Sequence, residues 1–446
     1  MHIATPPNYE DLLSTLIGDS ARLLEVMKAP VSQPGGEYIH WDKLRQLSAP
    51  EGLAHEEWWF LIKWGRQHSL RELPLFDPDG NPFVYSQPDV VLRALRNVDQ
   101  RCSGEIAMPE VVTADDQARQ HYLVNSLMEE AIRSSQLEGA TTSRRVAKEL
   151  LRSGREPNDR SERMILNNYR ALQYMREVGT SLDSATVLQL HRILTEGTLD
   201  DPSAAGRLQT PEDVRVAVLD RETHEVLHRP PPAEQLPARL EMLCQFANEP
   251  DDAEPFVHPV VRAILLHFWL AYDHPFEDGN GRTARALFYW HMRTRGYWLV
   301  EYLTVSQILA NAPAQYAKAF LQTETDSGDT TYFIVYQLQV VARAIEELHR
   351  YLGRKAKEIR DVERLMRAGS AEFNHRQLAL LSHAIRHPDQ IYTFQTHASS
   401  HTVTHETARN DLLPLVDKGL LLRHRVGRRH TFTPDARLAE RLKKAH

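Results

Sequence analysis

Apolar residues recur at intervals of three and four along most of the chain, which is the pattern of helices with one buried face. Two such stretches, Val260–Tyr272 and Ala284–Met292, are apolar on nearly all sides and are predicted to be buried helices. They flank a polar run, His274–Arg285, with the sequence HPFEDGNGRTAR. A polar loop held between two buried helices is a rigid place for functional groups. Further helices are predicted at Tyr9–Met27, Asp115–Arg133, Ser161–Glu177, Asp183–Leu194, Pro237–Asn248, Thr330–Arg364, His375–Ile385 and Thr404–Lys418.

The polar run has the features of an anion site. Gly279 and Gly281 let the backbone approach a ligand closely. The helix predicted after them directs free N–H groups and its positive dipole end at that ligand. Arg282 and Arg285 share one face of this helix, because they are three positions apart. Guanidinium groups donate paired hydrogen bonds to phosphate oxygens, so this part of the run is predicted to bind phosphate.

His274 and Asp278 add two further functions to the run. Asp278 can hold a hard cation such as Mg²⁺, which usually binds one or two carboxylates together with substrate phosphates. An imidazole titrates near neutral pH, so His274 can serve as a general base. Together these groups predict the transfer of a phosphate-bearing group to a hydroxyl. The simpler alternative is a glycine-rich turn with a solvated histidine and a surface salt bridge.

The same run resembles the HxFx(D/E)GNGRxxR signature of the Fic-domain family, which it matches without a gap. The resemblance implies an all-helical core with a β-hairpin flap that takes AMP from ATP and attaches it to a protein Ser, Thr or Tyr hydroxyl. On that pattern His274 deprotonates the target hydroxyl and Asp278 holds Mg²⁺ (or Mn²⁺). Arg285 would meet the γ-phosphate, and Tyr316 would either lie beside the nucleobase or simply pack in the core. The nucleotide-binding residues that the signature implies are Gly279, Asn280, Gly281, Arg282, Thr283 and Arg285.

A second motif follows the helix predicted at Asp115–Arg133. Ser134, Glu138 and Gly139 match the (S/T)xxxE(G/N) inhibitory motif of the Fic family. Because the motif precedes the signature, the chain resembles the subclass whose inhibitory helix, here about 115–139, lies N-terminal to the core. The resemblance implies that Glu138 pairs with Arg285 and occupies the arginine that the γ-phosphate needs. Taken alone, these residues would be an ordinary helix end with glycine at its C-cap.

A β-hairpin is predicted from Val214–Asp220 and Glu225–His228, which alternate about a polar turn. In the family this hairpin is the flap that positions the target by strand addition, and exposed strand edges do bind extended peptides in that way. An ordinary surface hairpin is the alternative. The residues predicted to dock the target are Val216, Val218, Thr223, Val226 and Leu227.

Composition limits the class of protein. The chain has 446 residues, 42% of them hydrophobic and 25% charged, as expected of a globular protein with a sizeable core. A net charge of −7 does not favour a chain that binds nucleic acid over its whole surface. Two cysteines exclude a disulfide framework and fit a reducing compartment. No signal peptide or membrane-spanning run is apparent, so a soluble, cytoplasmic protein is expected.

Three regions are predicted: an N-terminal helical region at 1–110, a Fic domain with its inhibitory helix at 111–365, and a C-terminal domain at 370–446. In the first, the tryptophans of His55–Trp64 would form either a ligand platform or a packed core. Phe76–Tyr85 is predicted to be a turn between two short strands.

The C-terminal domain is predicted to be a winged helix-turn-helix. Between 423 and 446 it has eight Lys or Arg and two Asp or Glu, an excess suited to DNA phosphates. A protein-docking or self-regulating module is an equal alternative. If DNA binds, the residues expected to face the groove are His401, Thr404, His405 and Arg409.

The resulting hypothesis is an autoinhibited protein adenylyltransferase whose target is another protein or the chain itself, with AMP removal as a plausible second activity. The alternative from another class is a DNA-binding regulator that uses the Fic core as a nucleotide sensor. Transfer of UMP or phosphate is a third. A homodimer is common in the subclass and is therefore one expectation.

Overall fold

The computed structural model describes residues 3–29, 36–103, 116–215, 218–219, 226–368, 373–388, 390–426 and 429–444. The chain divides into two compact units, one of Met1–Ile106 with Gln120–Glu346 and one of Ala107–Arg119 with Glu347–His446. The predicted mainly α fold is confirmed, and strands of the described residues form three two-stranded hairpins. Within these ranges, no helix combines the length and apolar character needed to cross a membrane.

The described residues of the N-terminal segment of the first unit form five helices and one hairpin. A single helix was predicted at Tyr9–Met27, but the structure breaks it at Asp19. The reason is local: the Asp19 carboxylate accepts a hydrogen bond from the N–H of Arg22 and caps a new helix. The elements are α1 Tyr9–Gly18, α2 Ser20–Lys28, α3 Trp41–Leu44, α4 His55–Gln67, β1 Arg71–Phe76, β2 Pro82–Tyr85 and α5 Asp89–Cys102.

Most of this segment packs as core. Of the tryptophans of α4, Trp58 and Trp59 are buried, whereas Trp64 is exposed, so the packed-core alternative holds for the first two. On the same helix, the buried Lys63 ammonium pairs with Asp326 at 2.9 Å, and a guanidinium N–H of Arg66 donates to the hydroxyl of Tyr332 at 2.8 Å. Residues 1–106 therefore share one compact unit with the central helices, although the sequence suggested a region of its own.

In the central part of the first unit, the described residues form helices, one short hairpin and three 3-10 turns, at Pro202–Ala204, Ala233–Gln235 and Trp298–Tyr302. Its strands are β3 Val218–Leu219 and β4 Val226–His228. Its helices are α6 Asp116–Leu137, α7 Arg144–Ser153, α8 Arg160–Glu177, α9 Ser184–Thr195, α10 Leu236–Asn248, α11 Pro259–Asp273, α12 Asn280–Thr294, α13 Val305–Asn311, α14 Pro313–Thr325 and α15 Thr331–Ala368. The first residues of α6, before Gln120, and the part of α15 after Glu346 belong to the second unit.

Helices α11 and α12 form the centre of this core. Every residue from Val260 to Leu270 is buried, as its nearly unbroken apolar sequence predicted. Pro259 at the first helical position and the His258 side chain, which accepts from the N–H of Val260, fix where α11 begins. The two helices pack against each other, and the loop between them emerges at one end of the core.

The second unit contains the helices predicted at His375–Ile385 and Thr404–Lys418 and the predicted hairpin, together with two helices that were not predicted, Phe394–His401 and Leu438–Lys444. Its own core is apolar and includes Leu381, Leu412, Leu415 and Phe432. The assignment as a winged helix-turn-helix stays a prediction. The elements are α16 His375–Arg386, α17 Phe394–His401, α18 His405–Asp417, β5 Leu421–Val426, β6 Arg429–Pro434 and α19 Leu438–Lys444, with β5 and β6 antiparallel.

Candidate active site

The end of α11 presents His274 in a left-handed backbone conformation, with φ 44° and ψ 54°. Few residues other than glycine adopt it. The N–H of His274 donates to the carbonyl of Leu270 at 3.0 Å and ends the helix. The preceding Asp273 is buried, and its carboxylate accepts hydrogen bonds from Arg239 at 2.8 Å and from the indole of Trp269 at 3.0 Å. The backbone that carries His274 is thus fixed from both sides.

The side chain of His274 has the protonation state of a general base. Asn280 is oriented by two hydrogen bonds to the backbone of Phe276, at 3.0 and 2.8 Å, which direct its amide nitrogen to within 3.2 Å of Nδ1 of His274. Burial, together with the nearby His228 and Arg215, lowers the pKa of His274 to about 4. The imidazole is neutral near pH 7 and can take up a proton.

The start of α12 has the backbone geometry expected of the predicted anion cradle. Gly279 has φ 85°, and a Cβ there would lie 2.9 Å from Cγ2 of Thr195, so glycine is required for both reasons. The N–H groups of residues 280–282 have no acceptor within the helix. Thr283 closes the first turn: its N–H and its hydroxyl both donate to the carbonyl of Gly279, at 3.0 and 2.9 Å. A nucleotide contact of Thr283 stays a prediction.

Asp278 and Arg282 lie side by side at this cradle. One carboxylate oxygen of Asp278 accepts from the N–H of Gly279 at 2.6 Å, and the other lies 3.2 Å from a guanidinium nitrogen of Arg282. The Asp278 side chain is 39% exposed, so it remains accessible to a ligand. Arg282 is buried and also donates to the carbonyl of Leu194 at 3.1 Å. Burial lowers the pKa of Arg282, with Asp278 opposing it.

Arg285 contacts the motif that was predicted to be inhibitory. Its Nε donates to the hydroxyl of Ser134 at 3.0 Å, and its Nη2 donates to the Ser134 carbonyl at 3.1 Å and to Oε1 of Glu138 at 2.8 Å. Burial lowers the pKa of Arg285, but Glu138 and its other neighbours raise it overall. Gly139, with φ 103°, ends the helical segment that presents Glu138. The structure therefore brings the two predicted motifs together.

Gly281 makes the contact between Glu138 and Arg285 sterically feasible. A Cβ at this position would lie 2.2 Å from Oε1 of Glu138 and 3.0 Å from Nη1 of Arg285. The second glycine of the run thus has a role that its spacing alone did not reveal.

Sequence reasoning missed His191 of α9, which supports the loop from behind. Its ring is fully buried and stacks on Phe276 with centroids 3.7 Å apart. The N–H of Gly206 donates to Nδ1 at 3.0 Å, so Nε2 carries the proton and donates to the carbonyl of Asp278 at 2.8 Å. Burial lowers the pKa of His191 to about 4, which keeps the ring neutral. A single histidine on an apolar helix face gives no signal that separates this role from ordinary packing.

Tyr316 lies near the site, held by a second missed histidine. Its hydroxyl is 2.9 Å from Nε2 of His267 on α11. Burial raises the pKa of Tyr316, with neighbouring Arg285 opposing it. The ring also packs against Phe320. Packing is thus present, and a contact with a nucleobase stays a prediction.

The matching family model decides the identity of this region: residues 181–292 match the Fic/DOC family. They form a Fic domain. The resemblance inferred from the run His274–Arg285 is therefore confirmed. Ser134, Glu138 and Tyr316 lie outside the matched residues.

Curated relatives of the Fic domain carry the name of an enzyme. The chain is 31% identical over 127 residues to a protein of Nematostella vectensis named protein adenylyltransferase Fic, a match that covers 28% of this chain and 26% of the relative. It is 32% identical over 111 residues to the Caenorhabditis elegans protein adenylyltransferase fic-1, covering 25% of this chain and 19% of the relative. The chain thus spans about a quarter or less of each.

Two solved structures also resemble the chain. A Fic family protein from Desulfovibrio desulfuricans aligns with a TM-score of 0.49 at 19% identity, covering 77% of this chain and 96% of that one. Fic-1 from C. elegans aligns with a TM-score of 0.44 at 20% identity, covering 59% of this chain and 71% of that one.

The hairpin of the Fic domain has the predicted antiparallel strands, with Val218 opposite His228. Val216 and Thr223 lie outside the described residues, and only the backbone is described for Val218, Val226 and Leu227. Target docking on this flap stays a prediction.

The potential metal ligands of the Fic domain are compatible with one divalent cation. Among the described residues no three acidic, histidine or cysteine side chains converge on a common point. Asp278 provides one accessible carboxylate beside the anion cradle. Mg²⁺ commonly binds one or two carboxylates and completes its shell with substrate phosphates and water. The site therefore fits Mg²⁺ bound together with a nucleotide.

Proposed function

We propose that this protein is a protein adenylyltransferase that transfers AMP from ATP to a hydroxyl side chain of a target protein, including the chain itself. The observation that carries the proposal is the juxtaposition of a neutral His274 with the cradle at the start of α12. Base and anion site share one rigid loop, with Asp278 between them in sequence. The names of the curated relatives support the same activity.

The nucleotide would bind through groups that are already oriented. The free N–H groups of residues 280–282 and the positive end of the α12 dipole attract phosphate oxygens without any rearrangement. Arg282 adds a guanidinium whose position is fixed by the Leu194 carbonyl. Arg285 would reach the γ-phosphate once it is free of Glu138. Such prearranged donors stabilise charge as it develops on the transferred group.

His274 would then receive the proton. The target hydroxyl oxygen attacks the α-phosphorus of ATP and forms the new P–O bond. The bond from that phosphorus to the bridging oxygen of the leaving pyrophosphate breaks, and the hydroxyl proton passes to the His274 imidazole. A base whose pKa lies below the working pH is unprotonated in nearly every molecule, at the cost of lower basicity.

Asp278 would hold Mg²⁺ (or Mn²⁺) against the nucleotide. The cation neutralises phosphate charge when it is bound. Asp278 is prepared for that role because the N–H of Gly279 orients its carboxylate.

Glu138 would keep the enzyme inhibited by competing for Arg285. Its carboxylate occupies the guanidinium that the γ-phosphate needs, so ATP would bind with its α-phosphate misaligned for in-line attack. A buried ion pair is often close to energetic balance, which suits a contact that must open. In the same place Glu138 could orient a water molecule, which makes AMP removal a second candidate activity.

The deciding experiment is mass spectrometry of the Glu138→Gly protein after incubation with Mg²⁺ and, separately, ATP, GTP, UTP or CTP. We expect an added AMP with ATP, little in the parent chain, and none in Glu138→Gly with His274→Ala. A UMP or phosphate adduct would show that the protein transfers that group instead of AMP. Nucleotide binding without any adduct, on the chain or on proteins of a cell lysate, would favour the sensor hypothesis.

DNA binding by the C-terminal unit is a second candidate, favoured by a basic cluster. Desolvation and the nearby Arg423, Arg425 and Arg409 lower the pKa of His430, so the groove candidate Arg409 lies near the arginines of the hairpin. Arg423 also contacts the His430 ring at 2.8 Å. Thr404, one of the residues expected to face the DNA groove, caps α18: its hydroxyl accepts a hydrogen bond from the N–H of Thr407.

Fluorescence anisotropy with a labelled DNA duplex tests this candidate. We expect affinity to fall steeply with salt and to drop in Arg409→Ala with Arg423→Ala. Arg354→Ala with Lys357→Ala, both on the exposed surface of α15, is the control that also removes two positive charges. An equal loss of DNA affinity in all variants would indicate only a general effect of charge.

A further inference from the structure

Four successive carbonyl groups, those of residues 272 to 275, lie where α11 ends and His274 begins the loop. Carbonyls at a helix C-terminus lack N–H partners in the helix and must find others. Here all four carbonyls accept hydrogen bonds from residues that precede or follow the flap in the chain. We refer to these three residues, Gln209, Arg215 and His228, as the flap anchors.

Arg215 binds two of the four carbonyls. Its Nη2 donates to the Asp273 carbonyl at 2.8 Å and its Nη1 to the His274 carbonyl at 2.9 Å. Its Nε donates to the carbonyl of Pro231 at 3.1 Å, and Nη1 also donates to Oε1 of Gln209. One guanidinium therefore connects both flanks of the flap with the backbone of His274.

The other two carbonyls are bound by the remaining anchors. Nε2 of His228 donates to the Tyr272 carbonyl at 2.7 Å, and its Nδ1 lies 3.0 Å from the Glu324 carboxylate. The N–H of Gln209 donates to the Pro275 carbonyl at 2.9 Å. The two ring nitrogens of His228 thus contact the Tyr272 carbonyl and the Glu324 carboxylate, which fixes the orientation of the ring. The Arg215 guanidinium, a cation at a helix C-terminus, also interacts favourably with the helix dipole.

We propose that Arg215 and His228 are positioning residues for transfer: through the carbonyls of residues 272 to 274 they hold His274 in its left-handed conformation. The inference rests on the proposed role of His274 as the base. Removing either anchor should displace the imidazole without disturbing the nucleotide cradle, whose donors come from α12.

The left-handed backbone explains why such support is needed. A residue other than glycine in this region is strained, and the surrounding contacts must maintain it. The ion pair between Asp273 and Arg239 fixes the preceding residue, and the anchors fix the carbonyls. His228 and Arg215 also help to lower the pKa of His274, after burial. Geometry and electrostatics of the base thus depend on the same two side chains.

The test uses Arg215→Ala, Arg215→Lys and His228→Gln, each in the full chain with Glu138→Gly. We expect Arg215→Ala to lower the rate of AMP labelling about 100-fold, since misplacement by about 1 Å has effects of that size. The affinity for MgATP, measured by calorimetry, should stay within about twofold of the parent because the two sites are independent. Guanidinium ion in solution should restore part of the labelling in Arg215→Ala only.

Arg207→Ala is the matched control. Arg207 lies in the same loop and pairs with Asp213 rather than with the α11 carbonyls. It should label at nearly the parent rate and show no response to guanidinium. Arg215→Lys keeps the charge but loses the paired geometry, and an intermediate rate is expected from it. Arg215→Ala labelling at the parent rate would overturn the proposal.

A second measurement does not require activity. The pKa of His274 can be followed by NMR of ¹³Cε1-labelled histidine, with the resonance assigned from His274→Ala. We expect the pKa to rise in Arg215→Ala and in His228→Gln and to remain unchanged in Arg207→Ala. An unchanged His274 pKa and chemical shift in both anchor variants would refute the positioning role. If the pKa moves but the Glu138→Gly parent never labels, the proposed function fails and the positioning role stands.

Discussion

Glu138 accepts a hydrogen bond of 2.8 Å from Arg285 although the two residues are 147 positions apart in sequence. Arg285 is almost fully buried, whereas the Glu138 side chain is 29% exposed. The arginine is therefore the fixed partner and the glutamate the one that can leave. Glu138 follows α6, whose Ser134 holds the same guanidinium by side chain and backbone. Release of the arginine by Glu138 need not disturb those two contacts.

The charge of Glu138 should matter more than its shape. Glu138→Gln keeps a hydrogen-bond acceptor for Arg285 but loses the ionic component, which is worth about 1–1.5 kcal/mol in such bonds. Labelling with ATP should therefore rise about tenfold over the parent chain and remain below that of Glu138→Gly. Glu129→Gln is the matched control, because Glu129 pairs with Arg144 and Lys148 instead. An equal increase in both variants would show that the effect is not specific to Arg285.

Gly281 offers a test of the contact by stability alone. Gly281→Ala would place Cβ 2.2 Å from Glu138 Oε1, so it should force the carboxylate away and destabilise the chain. In Glu138→Gly that clash is absent, and the same substitution should cost less. We expect a coupling free energy of about 1–2 kcal/mol in a double-mutant cycle measured by urea unfolding. Additive effects would mean that the Glu138 carboxylate does not lie against Gly281 in solution.

His274 should determine how the rate of AMP labelling depends on pH. Because its pKa is lowered to about 4, the imidazole is unprotonated throughout the neutral range. The labelling rate of Glu138→Gly should therefore be level from about pH 8 to about pH 5.5, where a base of ordinary pKa would already have lost most activity. His274→Ala should abolish labelling and retain MgATP binding by calorimetry. A tenfold decrease per pH unit beginning near neutrality would contradict the lowered pKa.

The sequence identified the parts of the site whose residues are adjacent in the chain. His274, Asp278 and the cradle residues occupy one continuous run, so their spacing alone predicted a phosphate site between two buried helices. Glu138 required the family resemblance, since nothing local distinguishes it from a residue at an ordinary helix end. Apolar periodicity likewise predicted most of the long helices, whereas α5, α7 and α17 were not predicted. Nor was the break at Asp19, because it depends on one side chain capping a backbone N–H.

The supporting residues were beyond sequence reasoning for a physical reason. His191 and His228 act through backbone carbonyls of residues far away in the chain, and a carbonyl has no sequence signature. Arg215 is one arginine among many, and only folding brings it to the end of α11. Such contacts depend on tertiary geometry and have no characteristic spacing.

Buried histidines should make the fold sensitive to acid. Burial lowers the pKa of five of them, to about 4 for His40, His191 and His274 and to about 3 for His267 and His291. Their unfolded pKa is about 6.5, so the unfolded chain binds protons first as the pH falls. The stability they contribute is present above pH 6.5 and is lost as the pH falls towards the folded values. Each histidine then lowers the free energy of unfolding by up to about 2 kcal/mol between pH 6.5 and 5.

His291 is the position at which to measure this cost. Both of its ring nitrogens are buried without a hydrogen-bond partner among the described residues, so the ring contributes little beyond packing. His291→Leu should be tolerated at pH 7.5 and should reduce the loss of unfolding free energy between pH 6.5 and 5 by about 2 kcal/mol. The measurement is urea unfolding at both pH values, with His68→Leu, an exposed position, as control. If His291→Leu and the parent lose the same free energy, His291 is not a buried neutral histidine in the folded protein.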